Sequence, residues 1–323
     1  MSMDANIWGG AGDDFIRTGA KHTGTVTVKA GKGDDIIGEV VRSDGATPMF
    51  GIHRRYEKDM DDMTIDKVAA GEVFEAYDML GDIMNAEEKL YGEQGDDKIW
   101  LGGKVTGNAF AHGGSGDDTI YGGYKVMGDQ FIYGNSGRDT IRTDWFSSRD
   151  DMALATGDEF IWGDYKYGAD NLDKDLWGDA DIIYGGKGDG SYYQKIYGGD
   201  GDDQIYQGFD WSKGVVLAGN GDDTITLGTD NIDDNIIFGG DGDDTWVNTM
   251  DSESRADFLG DEFYFGGEGN DYIATAHDSD GLTYVYGGKG HDIIVQGDNS
   301  DVGDYGWLVG NDGDDKIYGG DNN

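Results

Sequence analysis

Aspartate is the residue whose chemistry this chain has to explain. IFGGDGDDTW (237–246), IWGGAGDDFI (7–16) and IYGGDGDDQI (196–205) each place glycines and carboxylates side by side between bulky apolar flanks. Aligned on the second aspartate of each cluster, the row reads Asp14, Asp35, Asp97, Asp118, Asp139, Asp203, Asp223, Asp244, Asp271, Asp292 and Asp315. The spacings are 21, 62, 21, 21, 64, 20, 21, 27, 21 and 23, so the unit is about 21 residues and the two long gaps hold near three units each. Carboxylates at this density can move protons or hold cations. Proton transfer needs one pair set apart from the rest, and here pairs occur throughout. Neither an H-E-x-x-H nor a G-x-S-x-G motif is present, and the histidines are scattered, His291 only replacing an aspartate in GKGHD. No enzyme is expected; a polysaccharide-active parallel β-helix is the remaining catalytic alternative.

Charge points the same way. With 24 basic and 66 acidic residues the net charge is −42, a field that repels nucleic acid and anionic membrane surfaces and attracts cations. The chain is still 37% hydrophobic and 12% aromatic, enough to bury a core once the carboxylates are neutralised. Without cysteine there are no disulfides or thiolate sites. No apolar run approaches the roughly 20 residues of a membrane span, and MSMDANIWGG does not read as a cleavable secretory signal.

The elements that must position the aspartates follow from the same unit. Each cluster leads into a short apolar strand (DDTIYGG, 117–123), and after a variable turn a second strand runs into the next cluster (GDQFIYGN, 128–135). Two strands and two turns per unit make one coil of a solenoid, with neighbouring coils about 4.8 Å apart. Fifteen or so coils would form a rod of about 70 Å. Glycine at this density disfavours helix and suits tight reversals at positive φ. Ile120, Ile141, Ile205, Ile225, Ile273, Ile294 and Ile317, two residues after the aligned aspartate, should stack inward as a core ladder. Trp8, Tyr91, His112, Tyr133, Trp162, Tyr197, Phe238, Phe265 and Tyr286, just before the glycines, should form an outward aromatic ladder.

GGSGDDTIY (113–121) and GGDGDDQIY (198–206) fit every defined position of G-G-x-G-x-D-x-U-x with U apolar, and so the chain resembles the hemolysin-type (RTX) calcium-binding repeat proteins. The resemblance implies an all-β fold, a right-handed parallel β-roll or β-solenoid with one row of calcium turns. It also implies that the aligned aspartates supply carboxylates, and that glycine turns supply backbone carbonyls at Gly10 and Gly12, Gly31 and Gly33, Gly114 and Gly116, Gly199 and Gly201, Gly240 and Gly242, Gly267 and Gly269, and Gly288 and Gly290. About ten calcium ions (Ca2+) would lie between turns of successive coils. Six to eight hard oxygens from carboxylates and carbonyls are what Ca2+ takes. The chain departs from the family pattern in using one consensus per 21 residues. The slot on the second edge holds Gln130, Glu159, Glu262 and Thr283, so that edge should be mostly metal-free and looped. Glu93, Asn135 and Asn311 replace the second glycine, and the unit at WGDADII (177–183) is two residues short.

The repeat runs nearly end to end, giving one solenoid over 1–323 with irregular or degenerate coils at 38–89 and 140–181. Residues 38–89 hold the only proline, Pro48, and the basic cluster His53, Arg54 and Arg55; their length fits two further coils. A repeat begins at Ile7 and the chain stops in mid-coil at KIYGGDNN (316–323), so neither end shows a cap. These features suggest a structural or assembly protein that folds on calcium, outside the cell or at its surface. It could self-associate laterally or end to end into a filament, or be one module of a longer exported protein. An adhesive or glycan-binding module using the aromatic ladder is the main alternative.

Overall fold

A computed structural model describes residues 4–16, 24–37, 87–101, 104–105, 107–123, 125–126, 128–143, 157–163, 179–186, 193–208, 213–226, 234–247, 260–275, 281–297 and 306–319. Among them every regular element is a strand, and no helix is long and apolar enough to cross a membrane.

Two parallel sheets of twelve strands carry the fold. The first contains β1 (Ala5–Ala11), β3 (Val26–Lys32), β5 (Glu88–Gln94), β8 (Ala109–Ser115), β11 (Gln130–Ser136), β13 (Glu159–Trp162), β15 (Tyr193–Asp200), β17 (Lys213–Asn220), β19 (Asn235–Asp241), β21 (Glu262–Glu268), β23 (Thr283–Lys289) and β25 (Trp307–Asp312). The second contains β2 (Phe15–Ile16), β4 (Ile36–Ile37), β6 (Lys98–Trp100), β9 (Thr119–Tyr121), β12 (Thr140–Arg142), β14 (Ile182–Tyr184), β16 (Gln204–Tyr206), β18 (Thr224–Thr226), β20 (Thr245–Val247), β22 (Tyr272–Ala274), β24 (Ile293–Val295) and β26 (Lys316–Tyr318). A short pair, β7 (Lys104–Val105) with β10 (Lys125–Val126), stands apart. The chain alternates between the sheets, and successive strands within a sheet are hydrogen-bonded in strict register, the arrangement of a parallel β-solenoid with about 21 residues per coil.

The ladder is shorter than the length of the chain suggests. Twelve rungs at about 4.8 Å span roughly 55 Å rather than 70. β3 pairs directly with β5, and β12 directly with β14. Residues 38–86, with Pro48, His53, Arg54 and Arg55, lie outside the described residues.

Alternation decides what each strand buries. In the second sheet Ile120, Ile141, Ile205, Ile225, Ile273 and Ile294 are fully buried as a single column, joined by Ile183 and by Trp246 in a rung where the pattern otherwise places isoleucine. The indole fits because the facing residue is Gly239, whose missing Cβ leaves room for Trp246 Cη2. Ile317, on the last rung, is 45% exposed because no rung beyond it covers it among the described residues. The first sheet answers with Val28, Leu90, Ile132, Ile161, Ile196, Val216, Ile237, Tyr264 and Val285.

Outward, the expected aromatic column is present. Tyr91, His112, Tyr133, Trp162 and Tyr197 stack ring on ring with centroids 4.4 to 5.3 Å apart, and after Leu217 the column resumes with Phe238, Phe265 and Tyr286. His112, sandwiched in this column, has its pKa lowered to about 4 by burial. A second column, two residues earlier on the same face, holds Phe110, Phe131 and Phe160, with Lys89 and Lys195 over the outer rings.

Candidate metal site

Where the chain passes from the first sheet to the second, most coils turn on two glycines. All fourteen glycines named above have φ between 103° and 138°, a region that glycine alone enters without strain. Glu93, Asn135 and Asn311 are forced into the same region at φ 85°, 81° and 76°. This turn carries the aligned aspartate inward, and the aspartates then form one continuous hydrogen-bonded row. The backbone N–H of Asp97 donates to Asp118 Oδ1 at 2.8 Å, that of Asp118 to Asp139 Oδ1 at 2.8 Å, and the pattern continues without a break from Asp14 to Asp315.

One residue of this row escapes the sequence alignment. Asp181 stands between Asp139 and Asp203, linked at 2.7 and 2.8 Å. Its turn is split: the glycine beside its carboxylate is Gly163, at the other end of residues 164–178. The gap of 64 therefore divides as 42 and 22. The remaining signal in the sequence was DADII itself, an aspartate followed two residues on by an inward isoleucine.

Each carboxylate uses Oδ1 for the row. Oδ2 of Asp14, Asp35, Asp97, Asp118, Asp139, Asp223, Asp244, Asp271 and Asp292 is buried without a hydrogen-bond donor. Except at Asp35 and Asp223 it points to where a Cβ is missing. A Cβ on Gly113 would collide with Asp118 Oδ2 and stand 2.7 Å from the carbonyl oxygen of Gly134 in the next coil; Gly134, Gly239 and Gly287 repeat the arrangement. The first glycine of each pair is thus a site feature that the sequence reading overlooked, although the GG doublet displayed it. In two coils Ala30 and Ala218 take its place.

A carboxylate oxygen and a carbonyl oxygen converging with no donor between them repel one another unless a proton or a cation intervenes. Burial accordingly pushes Asp97 and Asp271 up to about 7, Asp139, Asp223 and Asp244 up to about 8, and Asp118, with Asp139 adding like charge, up to about 9. Among the described residues no three His, Cys, Asp or Glu side chains converge on one point. Any ion here is held by one carboxylate per coil together with backbone carbonyls, an all-oxygen set that fits Ca2+ and offers nothing to softer metals.

This geometry recurs where an RTX calcium-binding nonapeptide repeat model matches the chain, at residues 6–20, 87–103, 105–124, 127–145, 195–209, 258–294 and 306–323. The chain is an RTX-type parallel β-roll. Its repeats are calcium-binding repeats, and the aspartate row runs on through Asp35, Asp223 and Asp244, which lie between the matched segments. No curated protein matches the chain.

Two further features of the β-roll surround the row. Outside it, the residue before each aligned aspartate forms a second ladder of opposite polarity. Asp96 Oδ1 accepts from the N–H of Asp117 at 2.8 Å, and Asp222 Oδ1 from that of Asp243 at 2.8 Å. Arg138 takes one slot and pairs with Asp117 at 2.7 Å, His291 another, accepting from Asp314 N–H through Nδ1. On the second edge the inward slot closes on itself. Buried Glu159 accepts from Gln130 Nε2 at 2.9 Å and Gln194 Nε2 at 2.6 Å, and Glu262 accepts from the Tyr264 hydroxyl at 3.0 Å. Donors reach those acids, whereas none reaches Oδ2 of the nine aspartates from Asp14 to Asp292 named for it above.

Proposed function

We propose that this β-roll is a calcium-switched structural protein, acting without catalysis. In this reading Asp14, Asp35, Asp97, Asp118, Asp139, Asp203, Asp223, Asp244, Asp271, Asp292 and Asp315, joined by Asp181, hold about ten Ca2+ ions between coils with the carbonyls of their glycine turns. The observation that carries it is the buried Oδ2 of Asp14, Asp35, Asp97, Asp118, Asp139, Asp223, Asp244, Asp271 and Asp292, for which the protein supplies no hydrogen-bond donor. At neutral pH without metal these carboxylates must be buried charged or take up protons, and either state disfavours the wound form. Metal supplied outside the cell, where extracellular modules bind calcium at high micromolar to millimolar concentration, would wind it.

In the finer reading, copies stack end to end so that the strand ladders and the aspartate row run on from one copy into the next. Glycan binding through the aromatic columns has less support. A sugar ring stacks on an aromatic face, and along both columns the ring faces are already taken by neighbouring rings.

A calcium titration followed by circular dichroism tests the reading. β signal should rise cooperatively with added Ca2+ and disappear with excess chelator. A chain that keeps its full β signal at pH 7 after exhaustive chelation would show that the row does not govern folding.

A further inference from the structure

We propose that the outer face of the first sheet is a lateral interface that pairs with the same face of a second copy of this chain. The proposal rests on the calcium-folded reading above, since the face exists only on the wound roll.

Composition sets this face apart from the edges. Across its two outward columns, two positions on each of twelve strands, no aspartate or glutamate occurs, although the chain carries 66 acidic residues. The charge sits instead on the turn edges, in the two aspartate ladders on one and along Asp4, Asp129, Asp158, Asp234 and Asp261 on the other. The outer face of the second sheet is also free of carboxylates, but its strands are two or three residues long and its central column is rich in threonine, as at Thr119, Thr140, Thr224 and Thr245. The first sheet offers the broader face, on longer strands whose outward columns are mainly apolar and aromatic, represented by Phe110, Phe131, Phe160, Trp162, Ile236 and Phe265 with Lys29, Lys89 and Lys195 among them. The rings of the second sheet, Trp100 on Tyr121 and Tyr184 on Tyr206, form shorter stacks.

Two arguments fix the occupant as a second copy. The rings stack along the roll, so they present edges at the coil repeat. A surface with a repeat of about 4.8 Å is matched along its length by another ladder with that repeat, whose ring edges can lie between its rungs. Charge agrees: a second roll can approach face to face without placing carboxylates in the contact, whereas approach along either acidic edge meets a like-charged edge. Twelve rungs two columns wide cover on the order of 700 Å2 per partner, close to the roughly 800 Å2 that a standard stable interface buries on each side. An apolar patch of this size on a lone molecule is itself a mark of an interaction surface. A two-fold axis through the face makes the contact isologous and closed, so it yields dimers rather than open lateral growth.

Sedimentation velocity in millimolar calcium, with circular dichroism on the same samples, tests the pairing. The expected result is a wound dimer for the natural chain. Phe131→Glu with Phe265→Glu, and the milder Phe131→Thr with Phe265→Thr, should keep the β signal and weaken dimerisation at least tenfold, while Thr140→Lys with Thr245→Lys on the other face should leave it intact. A wound natural chain that sediments as a monomer at about 100 μM overturns the proposal, as does a dimer that survives both phenylalanine pairs. A monomer that binds hydroxyethyl cellulose assigns the face to a glycan and also overturns it. A dimer lost with the phenylalanine pairs but wound without calcium upholds the interface and rejects the calcium switch alone.

Discussion

At the scale of single residues, the opposing demands of Oδ1 and Oδ2 make each aligned aspartate more than a turn former. Asparagine in its place keeps an oxygen to accept the neighbouring N–H and removes the charge that burial disfavours. Asp118→Asn is therefore expected to act in opposite directions in the two states. Without calcium at pH 7 it should stabilise the wound form, because Asp118, pushed up to about 9, no longer has to take up a proton. With saturating calcium it should destabilise by at least about 1 kcal/mol, and thermal melts in chelator and in calcium read both signs. Glu93 offers a simpler case. It holds φ 85° without the short polar side chain that lets Asn135 and Asn311 tolerate that region. Glu93→Gly should raise stability by about 1 kcal/mol in calcium and chelator alike, with only the exposed Lys29 ion pair lost.

The elements were legible because period, glycine turns and inward isoleucines all repeat together. Ile120 or Ile273 could be placed from its distance to an aspartate alone. The places that resisted are those where one signal is removed from the others. Asp181 lost its glycines to the far side of residues 164–178, Trp246 occupies an isoleucine rung because Gly239 yields space, and the second column of Phe110, Phe131 and Phe160 lacks the flanking glycine pair that marks the first. The second edge was readable only as an absence of aspartate. Its positive content, a closed network in which Gln130 and Gln194 satisfy Glu159, needed coordinates. Gln194→Ala leaves Glu159 Oε2 short of its closest donor and should cost about 1 to 3 kcal/mol. With Glu159 satisfied by protein donors, the loss in a denaturant titration is expected to be the same at every calcium concentration.

For the whole molecule, the row of raised carboxyl pKa values sets a pH dependence whose sign is opposite to ordinary acid denaturation. In the unfolded chain these groups titrate near 3.8, and in the metal-free roll Asp97, Asp139, Asp223, Asp244 and Asp271 titrate at about 7 to 8. Between those values the wound form binds more protons than the unwound one. Metal-free stability is thus full below about pH 4 and is lost as pH rises to about 8. Circular dichroism in chelator should show β structure appearing as pH falls from 8 towards 4. Calcium uptake near pH 7 should release protons into an unbuffered solution, because ion and proton compete for the same Oδ2 atoms.

The two aspartate ladders also have a mechanical consequence. Their hydrogen bonds run from coil to coil along the axis, as do the strand pairings, so a rung is secured by the rungs on either side of it and by little else. Tension applied between the chain termini would act on these fastenings one after another, as on a zip. Each coil that let go would pay out about 21 residues, roughly 70 Å of extended chain, and a tether built this way would lengthen in steps and re-form when the load fell and calcium was at hand.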